Sequence, residues 1–210
     1  MEKGMSIMGM WETISAQFGK PTGFLGIVAG IIMAKRASNL ERDDWAMSLL
    51  RLRPTDRVLE IGFGPGIAIR HMSEVVTEGV IWGIDHSEVM FRQASKRNKK
   101  ALLEGRVKLL LSSVSVVTSL GGQVDKILDI NSLQFWESPV DDLKKLRTYL
   151  APGGTIVLVH QPRKPGSTDH DTEQSGSKYA DYLEKAGFRE ISVEKRTMKP
   201  VSAVCVVGRV

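Results

Sequence analysis

A single cysteine, Cys205, in 210 residues excludes an internal disulfide and fits a reducing compartment such as the cytoplasm. Histidine is nearly as scarce. His71, His86, His160 and His170 are scattered with no ligand spacing among them or to the cysteine, so no metal centre is expected. No apolar run approaches the ~20 residues that a bilayer-spanning helix needs. The uncharged stretch Phe24–Ala34 also starts too late, and lacks the small-x-small cleavage site, for a secretory leader. No Gly-x-Ser-x-Gly elbow or phosphate-loop Lys-Ser/Thr follows the glycines, and there is no internal repeat. An excess of one charge is missing too: 29 Lys+Arg face 24 Asp+Glu, a net +5 spread along the chain. The one basic cluster, Lys96–Lys100, has apolar or small helical neighbours and no interleaved aromatics. It reads as the solvated face and last turn of an amphipathic helix, and no nucleic-acid partner is expected.

What is present is the composition of one globular domain, 42% hydrophobic and 25% charged. Residues 1–55 read as an N-terminal helical extension. Within it Gly23, Gly26, Gly30 and Ala34 recur at helical spacing and make a flat stripe suited to close backbone packing. That segment reads either as a helix buried on the main domain or as a lid over an apolar acceptor pocket, with weak affinity for a membrane surface. A second helix is expected over Asn39–Leu52, with Trp45, Leu49 and Leu50 inward and Pro54 ending it.

From residue 56 to 210 the pattern alternates. Strand-length apolar runs stand at Arg57–Ile61, Val80–Ile84, Val107–Leu111, Val124–Ile130 and Thr155–His160, with helical segments at Ile67–Val76, Ser87–Leu103 and Val140–Leu150 between them. Such alternation demands right-handed crossovers and a doubly wound parallel sheet covered on both faces. A loop is expected over Gln161–Gly176 and a helix over Lys178–Ala186. The runs Phe188–Lys195 and Ser202–Arg209 then form a hairpin, which makes the last strand antiparallel.

The chemistry centres on Val58-Leu59-Glu60-Ile61-Gly62-Phe63-Gly64-Pro65-Gly66, a buried strand running into a glycine turn. Glycine accepts positive φ and lets a ligand approach the backbone, and the following helix offers free N–H groups. Asp85 ends the next apolar run, about 20 residues on, where an acid can accept hydrogen bonds from both hydroxyls of a ribose. A dinucleotide site wants Gly-x-Gly-x-x-Gly, yet Ile67 occupies the place of its third glycine. Glu60, just before the turn, would repel a pyrophosphate and attract a cationic ligand.

These residues, with Asn131 and Leu150-Ala151-Pro152-Gly153-Gly154, resemble the class I S-adenosylmethionine-dependent methyltransferases from about Asp56 to the C-terminus. The resemblance implies a Rossmann-like, seven-stranded α/β sheet of order 3-2-1-4-5-7-6. It implies S-adenosylmethionine as cofactor and S-adenosylhomocysteine as product. It also implies that Gly62, Phe63, Gly64 and Gly66 cradle the methionine part near Glu60, that Asp85 takes the ribose, that His86 and Met90 flank the adenine, and that Asn131 lines the wall beside the sulfonium. Many relatives carry an acid after strand 3; here Ser113-Val114 stands there, and the Ser113 hydroxyl would serve the adenine.

Methyl transfer from a sulfonium needs alignment in a dry site and no obligatory triad. If a base assists, the candidates are Asp129, His160 and His170, each of which also has a plain structural reading. Gln134, Phe135 and Trp136 would line the acceptor pocket and suit a small apolar or aromatic molecule. The competing readings are aminopropyl transfer, a non-catalytic cofactor-binding protein and an NAD(P)-dependent oxidoreductase.

Overall fold

The computed structural model of the chain describes residues 37–210. The stripe in Phe24–Ala34 and its lid reading lie outside the described residues. In order come helix α1 (Ala37–Leu50), β1 (Arg57–Ile61), α2 (Ile67–Val75), β2 (Val80–Asp85), α3 (Glu88–Arg97), α4 (Lys99–Leu103) and β3 (Val107–Leu111). There follow β4 (Val124–Ile130), α5 (Pro139–Tyr149), β5 (Leu150–His160), α6 (Asp169–Lys185), β6 (Arg189–Arg196) and β7 (Ala203–Arg209). The strands form one seven-stranded sheet of order β3-β2-β1-β4-β5-β7-β6. β7 runs antiparallel to both of its neighbours, as the terminal hairpin required.

The central strands are apolar on both faces because both are covered. On one face Trp45, Ala46 and Leu50 of α1 and Ile69 and Met72 of α2 pack with Val58, Ile81, Leu128 and Val157. On the other, Leu143 and Leu146 of α5 and Tyr179 and Leu183 of α6 pack with Leu59, Ile127, Ile156 and Leu158. Among the described residues no helix is long and apolar enough to cross a membrane.

Three expected boundaries move. The helix expected over Ser87–Leu103 breaks at Asn98, whose side-chain amide donates to the Gly66 carbonyl at 3.0 Å and to its own helix at Ala94. The strand expected at Thr155 begins at Leu150, and a register shift against β4 between Val124 and Lys126 absorbs the glycine pair. The loop expected to reach Gly176 ends at Thr168. Thr168 caps α6 in a capping box with Asp171, its N–H bonding the Asp171 carboxylate at 2.7 Å. His170 is therefore in the first turn of a helix and not on a long loop.

Candidate functional site

The carboxyl ends of β1, β2, β4 and β5 converge on the glycine turn, and each glycine there has its own physical reason. Gly62 has φ +70°, and a Cβ on it would run into the Ser132 side chain, so it lets the segment after β4 lie against β1. Gly66 has φ +76°, and a Cβ there would stand 2.6 Å from the Ala94 Cβ, so it lets α3 close on the turn. Gly64, at φ +52°, has nothing within 4 Å of its Cβ direction. The open side of the turn is therefore at Gly64. Phe63 does not share in that opening: it is 3% exposed, and its ring lies against Gly83 in the core, so only its backbone belongs to the turn.

Asp85 fastens this turn from β2. Its Oδ2 accepts the Gly64 N–H at 2.8 Å and its Oδ1 accepts the Ser87 N–H at 2.8 Å. A carboxylate has about four lone-pair directions, so capacity is left for a ribose hydroxyl. Burial raises the Asp85 pKa, and the backbone N–H groups of Ser87, Gly64 and His86 partly offset it. His86 beside it is exposed, whereas Met90 is buried within α3. The Asp85 carbonyl also accepts the Ser112 N–H at 2.9 Å, which brings Ser113 to the same edge. The Ser113 hydroxyl is shared with Ser115 at 2.9 Å, and Val114 turns into the core.

Glu60 is the unresolved charge of the site. It is 3% exposed, and its Oε2 is buried without a hydrogen-bond partner. Burial first, then the neighbouring Asp43, Asp85 and Asp129, push its pKa well above the ordinary 4.5. Among the described residues no three acids, histidines or cysteines are grouped to hold a metal ion. A buried acid with a free oxygen and acidic neighbours suits an organic cation, and the ammonium of a methionine moiety is one.

Asp129 and Asn131 at the end of β4 are both engaged structurally. Asp129, 0% exposed, accepts the N–H groups of Ser132 at 3.3 Å and Leu133 at 3.2 Å, and the Ser132 hydroxyl donates to it. Burial raises its pKa to about 6 against those bonds. It anchors the turn Leu133–Phe135. Asn131, at φ +57°, donates through Nδ2 to the Gln161 carbonyl and accepts the Gln161 N–H, both at 2.8 Å, clamping the ends of β4 and β5 together. Trp136 packs against the core and donates to Ser132 at 3.3 Å, while Phe135 is 46% exposed. Gln134 donates to the Asn131 carbonyl at 2.7 Å, and its Oε1 lies 3.4 Å from the Tyr179 hydroxyl.

His160, at the end of β5, packs its ring 5.6 Å from that of Tyr179. Its Nδ1 is buried with no partner, and it borders a hollow of about 300 Å³ with Pro162, Ser167, Gln174, Ser175 and Lys178. Burial, then Arg42, Arg163 and Lys178, lower its pKa to about 4, so the imidazole is neutral at physiological pH. His170 is exposed, bonded to Gln174 at 3.0 Å, and takes no part in the wall of that hollow.

The residues missed in the sequence are on α1. Arg42, 7% exposed, bonds Asp43 at 2.9 Å, while Asn39 accepts from Arg163, on the segment after β5, at 2.6 Å. Asn39, Arg42, Asp43, Ala46 and Leu50 follow one buried stripe that is polar at its start and apolar at its end. A charged pair interrupting an inward helical face was the available signal.

Residues 58–154 match a family model described as a methyltransferase domain. The chain is 28% identical over 183 residues to the uncharacterized methyltransferase YdaC of Bacillus subtilis (strain 168), covering 87% of this chain and 98% of that one. Its fold is similar to that of a SAM-dependent methyltransferase from Aquifex aeolicus, with TM-score 0.70, 21% identity, and 86% and 97% of the two chains covered. It is also similar to the N-methyltransferase NodS of Bradyrhizobium japonicum WM9, solved with S-adenosyl-L-homocysteine. There the TM-score is 0.68 with 14% identity, covering 95% of this chain and 97% of that one.

Proposed function

We propose that this chain is a class I S-adenosylmethionine-dependent methyltransferase that methylates a small organic acceptor at the carboxyl ends of β4 and β5. The observation that carries the reading is the pairing of the open Gly64 turn and its Asp85 fastening with the unpartnered buried oxygen of Glu60. That set matches a ligand with a ribose at one end and an ammonium at the other, and it does not match a pyrophosphate. S-adenosylmethionine supplies an activated methyl group on a sulfonium. The protein's own part is then placement. Asp85 takes the ribose hydroxyls, Glu60 takes the ammonium, and the Asn131–Gln161 clamp fixes the wall between cofactor and acceptor. Phe135, exposed at the edge, offers an apolar contact, and the hollow beside His160 seats the acceptor. With its pKa lowered to about 4, His160 is a weak base; it orients an acceptor by hydrogen bonding through Nδ1. Helix α1 borders this edge, where its Asn39 accepts a hydrogen bond from Arg163.

Calorimetry with S-adenosylhomocysteine and NAD⁺ tests the reading. Saturable binding of the first and none of the second is expected, and Asp85→Ala should weaken it by about 1.5–3 kcal/mol for each ribose hydrogen bond lost. Tight NAD⁺ binding without S-adenosylhomocysteine binding overturns it.

A further inference from the structure

The opposite edge of the sheet carries a second set of unspent charges. Arg57, Val80 and Val107 open β1, β2 and β3, and pairing places Trp82 between Leu59 and Lys108. The connection from β3 to β4 contains no helix. Val114, Val117 and Leu120 close that face of the sheet, and Gly121 and Gly122 end the connection. A hollow of about 340 Å³ is left, walled by Arg57, Glu78, Trp82, Lys108, Leu120 and Gly121.

Two cations meet on one ring there. The Arg57 guanidinium carbon lies 5.0 Å and the Lys108 Nζ 5.3 Å from the centroid of the Trp82 ring. The glycine backbone packs on the guanidinium so closely that a Cβ on Gly122 would stand 2.9 Å from one terminal nitrogen. The guanidinium is thus held in place, yet its donors are poorly used. One terminal nitrogen reaches the Gly121 carbonyl at a long 3.3 Å, and Nε is buried with no partner. Among the described residues neither the Arg57 guanidinium nor the Lys108 ammonium has a carboxylate within 4.0 Å; the Asp125 carboxylate accepts the Arg57 backbone N–H at 2.7 Å, and Glu78 is the one acid in the wall. Fixed guanidinium forks recognise planar or tetrahedral oxyanions through paired donors, and an ammonium adds a point charge.

We propose that this hollow is a second binding site, for the carboxylate or phosphate group of a small metabolite, on the edge of the sheet away from methyl transfer. The oxyanion bridges Arg57 and Lys108 over the Trp82 ring, and Glu78 sets a limit on its negative charge. Bound there, it joins the starts of β1 and β3 across β2.

Titration of the full chain with inorganic phosphate and, separately, with acetate at constant ionic strength tests this, read by the indole N–H resonance of Trp82 and by calorimetry. Saturable binding of at least one anion with a shift at Trp82 is expected. Lys108→Gln should weaken it about tenfold or more, the loss of a charged partner, and Glu78→Gln should strengthen it severalfold. Lys108 and Glu78 lie at the surface, so both variants keep the fold, and S-adenosylhomocysteine affinity measured on the same samples should not change. The proposal is overturned if neither anion binds saturably, or if binding persists unaltered in both variants. Loss of S-adenosylhomocysteine binding in the parent chain would count against the methyltransferase reading alone.

Discussion

Replacing Glu60 by Gln should make the protein more stable and its cofactor complex weaker, two effects of opposite sign from one atom. In the parent chain the carboxylate is 3% exposed, its Oε2 has no partner, and Asp43, Asp85 and Asp129 are its charged neighbours. The amide keeps the shape and removes the buried charge, for a gain of about 1–2 kcal/mol. For a chain of this length that is a rise in Tm of roughly 2–8 °C. The sign follows from linkage. Glu60 has a folded pKa above its unfolded value, so below about pH 4.5 it is protonated in both states and costs nothing. As pH rises past 4.5 the unfolded chain loses that proton more readily, and the cost grows until the raised folded pKa is passed. The stability advantage of Glu60→Gln should therefore be small at pH 4.5 and largest at pH 8. Loss of a charged partner for the ammonium should at the same time weaken S-adenosylhomocysteine about 10- to 150-fold, from ~1.5–3 kcal/mol. Thermal melts across that pH range and calorimetry at pH 8 read both. A variant less stable than the parent at pH 8, or one binding the cofactor product as tightly, refutes the assignment of Glu60.

The glycines of the turn should separate in the same assays. Gly66→Ala, at φ +76° and 2.6 Å from the Ala94 Cβ, should cost about 2–5 kcal/mol in denaturant melts, whereas Gly64→Ala should cost only the ~1–2 kcal/mol of its left-handed backbone while weakening the cofactor. His160 should contribute an acid-sensitive stability. Its folded pKa, about 4, lies below the unfolded 6.5, so on the order of 3 kcal/mol is lost as pH falls from 6.5 towards 4, and His160→Gln should flatten that part of the profile. Thr168→Ala, which opens the capping box of α6, should lower stability by about 1 kcal/mol with little effect on cofactor affinity.

The sheet was legible because strand-length apolar runs alternate with helical ones, and because the terminal hairpin fixes the direction of β7. The turn with Glu60 and Asp85 was legible by spacing alone. The start of α6 was not, because its inward positions Thr172, Gly176, Tyr179 and Leu183 begin small and polar and only later become apolar. Segment 161–176 therefore showed turn residues and no helical period. The same reason hid Arg42 and Asp43. Their stripe on α1 is buried against charges at the sheet edge, so a rule that puts apolar residues inward passes over them. Residue type alone did not show that the Phe63 ring packs on Gly83 in the core, or that Trp136 is half-buried and bonded to Ser132.

The charges of the site divide along the sheet, and that division bears on how the acceptor is handled. Glu60 and Asp85 make the β1–β2 end acidic, where a cationic ligand is favoured, and Asp43 beside Glu60 is paired with Arg42. Burial first, then the positive charges of Arg42, Arg163 and Lys178, keep the His160 ring neutral. Asp129 stands between these ends with its oxygens bound by Ser132 and Leu133. Of the three acid–base candidates, then, one is committed to a turn, one has its pKa far below neutrality, and His170 is outside the hollow. A base working near pH 7 would need a pKa close to that value and a free lone pair; neither Asp129 nor His160 combines them, and His170 does not reach the hollow. On the proposed reading catalysis rests on alignment, so changes at His160 should act on acceptor KM more than on the pH dependence of kcat.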